Sequence, residues 1–593
     1  MNLEEAIRIY IKNAFQSIFK ADLDIAKLFL QPTRKEFEGT HTFVVFPFLK
    51  VTQKSPESTA TAIGGYLKSR SGIIKDFNVV KGFLNLEINI SVWISCLDDM
   101  LKNKHWGQLK SNDKKVMIEF SSPNTNKPLH LGHLRNNFLG DAISRIIEAA
   151  GYQVKRTNLV NDRGIHICKS MLAYKRWGKG ETPETAQLKG DHLIGKYYVL
   201  FDKHYKEQID TLVGQGVSED EAKKQAPVLI QAQEMLQKWE KKDAEVMKLW
   251  NKMNAWVYEG FEATYQTMGI KFDTIYKESE TYLLGKGIIE EGLEKEVFYK
   301  REDGSVWIDL KEEGLDEKLV MRSDGTSVYI TQDIGTCDFK YQDFSMDQSI
   351  YVVGNEQDYH FNVLFAIMKK MGRPYGEGLH HLSYGMVDLP SGKMKSREGT
   401  VVDADELMDE MFTTAAKQTL ELGKIQELTE NESKSLFRMV GLGALKFFLL
   451  KVDPKKRILF DPKESIEFQG HTGPFVQYTY ARISAILRRA SSDGINKVLF
   501  PIKKIHSREQ MLLAQLVRFE DVIAQAARDY SPALLAHYAY DLSKDYNRFY
   551  QELSIFNESD DYLVIFRIGL SRLTAKVIRR SMELLGIEVP NRM

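Results

Sequence analysis

Two histidines three residues apart open the chemistry of this chain. They close the run Ile118-Glu119-Phe120-Ser121-Ser122-Pro123-Asn124-Thr125-Asn126-Lys127-Pro128-Leu129-His130-Leu131-Gly132-His133, in which an apolar segment enters a polar turn. Pro123 and Pro128 break regular structure, and Leu134, Phe138, Leu139, Ile143, Ile146 and Ile147 then recur at helical spacing. His130 and His133 therefore fall in the first turn of a helix, on one face. A helix start leaves backbone N–H groups unpaired at the positive end of the dipole, which favours phosphate. Both imidazoles can donate to phosphate oxygens, and Gly132 lets a flat base approach the backbone. In a chain of 593 residues with 13 His and 40 Gly, a His-x-Gly-His tetrad arises by chance about 0.02 times. The bland alternative is two surface histidines at a helix start.

An independent signal lies downstream. Asp388-Leu389-Pro390-Ser391-Gly392-Lys393-Met394-Lys395-Ser396-Arg397-Glu398-Gly399-Thr400 is Gly-flanked, too polar for a core strand, and able to swing cations over an anionic ligand. Alone it would read as a solvated basic turn.

The elements that must position these groups follow from the apolar pattern. Val116 to Phe120 reads as a short buried strand and Val154 to Leu159 as the next, a βαβ unit starting near Lys114. Val306 to Leu310, Val328 to Ile330 and Ile350 to Val353 suit later strands of a parallel sheet, in which ligands bind beyond the C-terminal strand ends. Tyr329, Asp333 and Gln357 lie at or just past such ends. The expected fold class is α/β: a Rossmann-type parallel-sheet domain over 109–430, with a Lys/Glu/Gln-rich helical insertion at about 185–265. Residues 1–108 read as a small α/β module, with helices at Leu3 to Phe19 and Ser58 to Ser69 and strands at His41 to Val45 and Phe77 to Ile88. From 431 to 593 the pattern is all-α, with basic stripes at Arg482, Arg488 and Arg489 and at Arg572, Lys576, Arg579 and Arg580. Interleaved aromatics such as Tyr540 suit core packing, or stacking on unpaired bases.

Composition bounds the rest. The chain is too long for one core, and 43% hydrophobic with 27% charged residues is ordinary for a globular protein. Basic and acidic residues balance at 81 each, so any RNA contact must come from local patches. Cys96, Cys168 and Cys337 carry no partner motif, which points to a reducing compartment and core fillers rather than nucleophiles or a zinc site. The N-terminus is an amphipathic, mixed-charge helix rather than a signal sequence, and no apolar run nears the roughly 18 residues of a membrane span. A cytoplasmic location is expected.

The histidine segment and the basic loop together resemble the signature pair of class I aminoacyl-tRNA synthetases. The run from Glu119 to His133 is similar to the arginyl-tRNA synthetase version of that signature. Asn161-Asp162-Arg163-Gly164, Tyr329-Ile330-Thr331-Gln332-Asp333, Gly354-Asn355-Glu356-Gln357-Asp358-Tyr359-His360 and the terminal Leu585-Gly586-Ile587-Glu588-Val589-Pro590-Asn591-Arg592-Met593 agree. The likeness runs from about residue 83 to the last.

That resemblance implies a ligase that activates arginine with ATP and passes it to the 3′ end of tRNA(Arg) for protein synthesis. ATP is then a substrate, with Mg²⁺ carried on it and no metal held by the protein. The attacking carboxylate is already ionised, so the barrier is charge gathering on phosphate, which fixed positive donors lower. His130, His133, Lys127, Lys393, Lys395 and Arg397 are the expected catalytic groups, and His130, Gly132, His133, Met394 and Ser396 the ATP contacts. Ser396 stands where the class usually has a second loop lysine; Lys127 or Lys395 would compensate, and the sequence does not choose. The family's arginine pocket maps onto Glu119, Ser122, Asn124, Tyr329, Asp333 and Gln357. Asp333 would take the guanidinium fork, Tyr329 would form a flat wall, and Asn124 and Gln357 would hold the ammonium and carboxylate end. The N-terminal module would grip the tRNA elbow through Phe83 and Asn85, and the all-α domain the anticodon through Tyr540, Arg579, Arg592 and Met593. A monomer that needs tRNA before it activates arginine is expected. A nucleotidylyltransferase, a class I synthetase for another amino acid, and an inert RNA-binding paralogue remain open at this point.

Overall fold

A computed structural model describes residues 3–34, 36–282, 284–326, 328–388, 390, 402–421, 428–494, 502 and 504–593. Its central sheet has five parallel strands in the order Leu379–Tyr384, Gln348–Gly354, Lys115–Glu119, Gln153–Val160 and Thr274–Lys277. Helices cover both faces, so Val116, Met117 and Ile118 are all buried, as an unbroken apolar run requires. The chain adds strands outward on one side of Lys115–Glu119, then crosses back to add Gln348–Gly354 on the other. The switch point of this doubly wound sheet therefore lies between those two strands. Helix Leu131–Ala149 lies over the sheet, close enough that a Cβ on Gly140 would sit 2.2 Å from Phe120 Cγ.

Two expected strands differ. Val306–Ile308 is a strand, but it pairs antiparallel with Tyr299–Lys300 and Lys318–Met321 in a separate small sheet. Val328 to Ile330 is not a strand, because helix Tyr329–Phe344 starts there. Thr331 sets that start: its Oγ1 accepts from the Val328 N–H at 3.4 Å while its hydroxyl donates to the Val320 carbonyl. The β-branched character of the segment is overridden by this tertiary tie.

The insertion consists of helices Gly190–Gly214, Glu219–Gln225, Pro227–Glu240 and Ala244–Met268. Its charge run keeps Glu234, Lys238 and Lys241 in solvent while Met235 and Trp239 are buried. In the N-terminal module, helices Leu3–Phe19 and Pro56–Arg70 pack on a four-stranded antiparallel sheet. The stretch Phe77 to Ile88 is there split between Ile74–Val80 and Phe83–Ile88 by a turn in which Lys81 and Gly82 have φ of 47° and 79°.

The C-terminal part is helical, comprising Glu430–Leu450, Gly473–Ser492, Ser507–Val517, Phe519–Arg528, Pro532–Glu552 and Asp561–Leu584. Two of its expected basic-stripe residues make domain contacts instead. Lys576 Nζ donates to the carbonyls of Met100, at 3.3 Å, and Asn103, and Arg580 donates to Gln108 Oε1 at 3.0 Å. Short strands Val387–Asp388 and Ile458–Leu459 pair in parallel and tie the segment after Glu430–Leu450 to the sheet domain. No described helix is long and apolar enough to cross a membrane.

Candidate active site

His130 is the N-cap of helix Leu131–Ala149 and His133 sits one turn in. The Gly132 N–H donates to His130 Nδ1 at 3.1 Å, and the His130 N–H donates to His133 Nδ1 at 3.1 Å. The Leu131 N–H is taken by the Val402 carbonyl, and those of His133 and Leu134 by the His130 carbonyl. The expected unpaired helix-end amides are therefore already satisfied, by the histidine rings among others. Because both Nδ1 atoms accept, both rings are the tautomer with hydrogen on Nε2. Burial, with Lys127 nearby, pushes His130 down to about 3, and burial pushes His133 well below the ordinary histidine value. The pair thus offers two neutral Nε2–H donors, not the fixed positive charges expected. Ring centroids 3.9 Å apart hold the donors side by side. Gly132 matters for the ring rather than for a base: a Cβ there would lie 3.0 Å from His130 Cε1.

The basic-loop residues Lys393, Met394, Lys395, Ser396 and Arg397 lie outside the described residues. Both attachment points of the loop are described, and both are fixed to the histidine helix. On the far side, Val402 and Ala404 bond the backbone on either side of His130. On the near side, Arg135 is buried and donates to four carbonyls: Gly385, Met386 at 3.2 Å, Pro454 at 3.0 Å and Lys456 at 2.7 Å. Burial lowers its pKa to about 10, still far above neutrality, so it stays charged. Nothing in the sequence marked Arg135, since a single arginine on an apolar helix carries no motif.

Lys127 borders a cleft of about 440 Å³ with His130, His192, Lys196, Tyr198 and Asp403, among others. Beside it, Asp191, His192 and Asp405 could reach one ion, but Lys189 already pairs with Asp405 and lies 3.3 Å from Asp191. Despite burial, hydrogen bonds from His192 and Lys189 hold Asp405 down to about 2, and its bond raises His192.

Glu119, Ser122, Asn124 and Gln357 lie at or just past the ends of the strands flanking the switch point, whereas Tyr329 and Asp333, expected past a strand, sit in the first turns of a helix because Val328 to Ile330 is not a strand. Glu119 is 6% exposed and ion-paired with buried Lys340. Ser121 and Ser122 follow with φ of 78° and 46°. Strain of this kind, about 1–3 kcal/mol each, persists only where contacts enforce it. Here Ser121 N–H donates to Asn136 Oδ1 at 2.5 Å and Ser122 N–H to Asn158 Oδ1 at 3.0 Å, and the Ser121 hydroxyl meets Tyr265 at 2.7 Å. Asn124 is held outward by pairing of its segment with Asn161. Tyr329 and Asp333 share one face of their helix; Tyr329 is exposed, and Asp333 bonds His360 at 2.7 Å. Gln357 is exposed in the turn Asn355–Gln357 directly after Gln348–Gly354.

Sequence reasoning missed Glu278, which follows the strand Thr274–Lys277. Burial, opposed by Arg163 and reinforced by Asp162 and Asp333, raises its pKa to about 6. Its proximity to Asp333 has no signature in the sequence.

Among the expected RNA contacts, the Tyr540 ring packs at a tilt against those of His471 and Phe475. Arg579 is exposed and bonds Tyr480 and Asn591, beside Arg592 and the half-buried Met593. Phe83 is partly exposed, with Arg34 5.9 Å over its ring. Asn85, by contrast, is 1% exposed and its side chain is engaged by Thr42 at 2.6 Å and Asn78 at 2.8 Å, so it pins the sheet instead of facing RNA. Burial pushes the three thiols up, Cys96 to about 11 and Cys168 and Cys337 to about 12, as suits core fillers.

A family model described as "tRNA synthetases class I (R), catalytic domain" matches residues 96–461, and one described as "DALR anticodon binding domain" matches 476–593. The chain is 57% identical to an arginine–tRNA ligase of Amoebophilus asiaticus and 53% identical to one of Bacteroides thetaiotaomicron, in each case over 100% of both chains. Among solved structures it resembles Thermus thermophilus arginyl-tRNA synthetase, with a TM-score of 0.80 at 23% identity over 100% of both chains, which supports the fold. With a catalytic-domain model matching over half of it and relatives more than 50% identical along its whole length, the chain belongs to the class I arginyl-tRNA synthetases.

Proposed function

We infer that this chain joins arginine to the α-phosphate of ATP, releases pyrophosphate, and transfers the arginyl group to the terminal ribose of tRNA(Arg). In the first step a carboxylate oxygen of arginine forms a bond to phosphorus as the bond to pyrophosphate breaks. In the second, a ribose hydroxyl attacks the activated carbonyl and AMP leaves. The observation that carries this reading is that the central strand Lys115–Glu119 leads into two neutral N–H donors, His130 and His133, while Asp333 bonds His360 just past the end of the neighbouring strand Gln348–Gly354. The donors face charge as it gathers on phosphate, and their Nε2 hydrogens need no rearrangement.

In this reading Lys127, with Lys393, Lys395 and Arg397, completes the phosphate side, and Gly132, Met394 and Ser396 contact ATP. Asp333 takes the guanidinium fork, joined by Glu278, whose carboxylate feels the Asp333 charge. Tyr329 walls the side chain, and Asn124, Gln357, Ser122 and Glu119 surround the amino-acid end. Phe83, Tyr540, Arg579, Arg592 and Met593 contact tRNA. Mg²⁺ travels on the triphosphate; in the Asp191–His192–Asp405 trio the two carboxylates already face Lys189. The enzyme works as a cytoplasmic monomer of three parts, 1–108, 109–430 and 431–593. Pyrophosphate exchange run with each of the twenty amino acids, with and without tRNA, tests this: exchange should require arginine and increase with tRNA. Equal exchange with another amino acid would sink it.

A further inference from the structure

The turn Asn161–Gly164 carries a guanidinium that the chemistry above does not use. Arg163 Cζ lies 4.1 Å from the centre of the Tyr282 ring and 5.4 Å from that of Trp239. Its terminal nitrogens stand 3.5 Å from Glu240 and 3.9 Å from Glu278, and its buried Nε has no hydrogen-bond partner. An arginine beside two carboxylates ordinarily closes on one of them in a two-pronged bond at about 2.8 Å. Here two aromatic faces from different elements hold it back, as a cation–π cage does. The turn beneath is immobilised: Asp162 accepts from Ser279 N–H at 2.9 Å, Ser279 hydroxyl at 2.7 Å and Tyr258 hydroxyl at 2.9 Å.

Glu278 therefore has a cation close by that leaves its oxygens available. The groups facing it are Arg163 and Asp162 from the turn, Asp333 from helix Tyr329–Phe344, and Tyr258, bonded to Asp162, from Ala244–Met268. Glu240 reaches it through Arg163, and Lys277 and Glu280 flank it on its own segment. Of the charges that shift Glu278, Arg163 is the one that favours ionisation. An enzyme that binds free arginine must also keep its own arginines out of the pocket, and the cage does both.

We propose that Arg163, restrained by Trp239 and Tyr282, is a positioning residue that keeps Glu278 charged and unclaimed for the substrate guanidinium. This rests on the arginine pocket proposed around Asp333. Removing the Arg163 charge raises Glu278 further from its value of about 6, so more of it is protonated at neutral pH. The attraction it offers is present above its pKa and lost as pH falls through it.

The test measures kcat and KM for arginine and for ATP by pyrophosphate exchange, from about pH 6 to about pH 9, with tRNA present. Arg163→Gln should raise the arginine KM about tenfold at neutral pH, with the ATP KM unchanged and the deficit shrinking at alkaline pH. Arg163→Lys should recover most of the loss, and Arg163→Gln should add little to Glu278→Gln. Tyr282→Leu frees Arg163 to close on Glu278, so its arginine KM should rise without alkaline relief; this variant keeps every charge should Arg163→Gln fold poorly. A pH-independent deficit in Arg163→Gln, or equal rises in both KM values, overturns the proposal. Asp333→Asn separates the two readings: if it spares arginine, the pocket itself is misplaced, whereas if it abolishes arginine use while Arg163→Gln is silent, only the role of Arg163 fails.

Discussion

At the histidine end of the site the first four helical amides already have acceptors and both rings are locked in one tautomer, whereas at the acidic end Tyr329 stands 79% exposed and Asp333 is bonded to His360. The first arrangement needs nothing from a ligand to be complete. The second is incomplete by itself: among the described residues Asp333 has a single bond, to His360, and Glu278 stands 3.9 Å from Arg163. Under the proposed function the contrast follows from chemistry: phosphate is the same in every reaction of this class, while the side chain must be selected, and selection works by leaving buried acceptors unpaired when the wrong ligand binds.

Variants can break this contrast. The largest effect is expected for Asp333→Asn, which should lower kcat/KM for arginine about a thousandfold while ATP KM moves little; kinetics with each substrate varied in turn measure it. Lys127→Ala should cut the activation rate about a hundredfold with arginine KM nearly constant, read by single-turnover adenylate formation. Normal activation in that variant would assign the compensation to Lys395.

How much of this was readable in advance differs between the same two ends. The histidine pair, the strand before it and the helix after it were legible because residue order and local contacts coincide over Lys115–Ala149. What was not legible there is that the rings consume the amides, since a histidine capping its own helix looks the same in sequence as one reaching outward. At the acidic end, Val328 to Ile330 suggested a strand by type, and the contact of the next residue, Thr331, with Val320 made the segment the start of a helix. The direction of Val306–Ile308 was equally hidden, because alternation is identical in parallel and antiparallel pairs. Arg135, Arg163 and Glu278 act through partners that are distant in the chain.

Smaller effects sharpen the comparison. Gly132→Ala should displace the His130 ring and lower activation about tenfold, with unchanged tRNA affinity, because the crowding is against an imidazole with little freedom to retreat. The weakest effect concerns the Val402–Ala404 attachment. His192 is raised by its bond to Asp405, so its share of stability is complete below the ordinary histidine value and fades as pH climbs through the raised one. The protection factors of the Leu131 and Ala404 amides, their exchange rates corrected for the intrinsic rate at each pH, should therefore fall a few-fold on the alkaline side, and His192→Asn should abolish that fall.

Arg135 has a last consequence. One guanidinium grips carbonyls from residues 385–386 and 454–456, and its own helix grips 402–404. Any rotation of that helix must therefore carry residues 385–386, 402–404, 454 and 456 along in register, so these four points of the chain answer to one element.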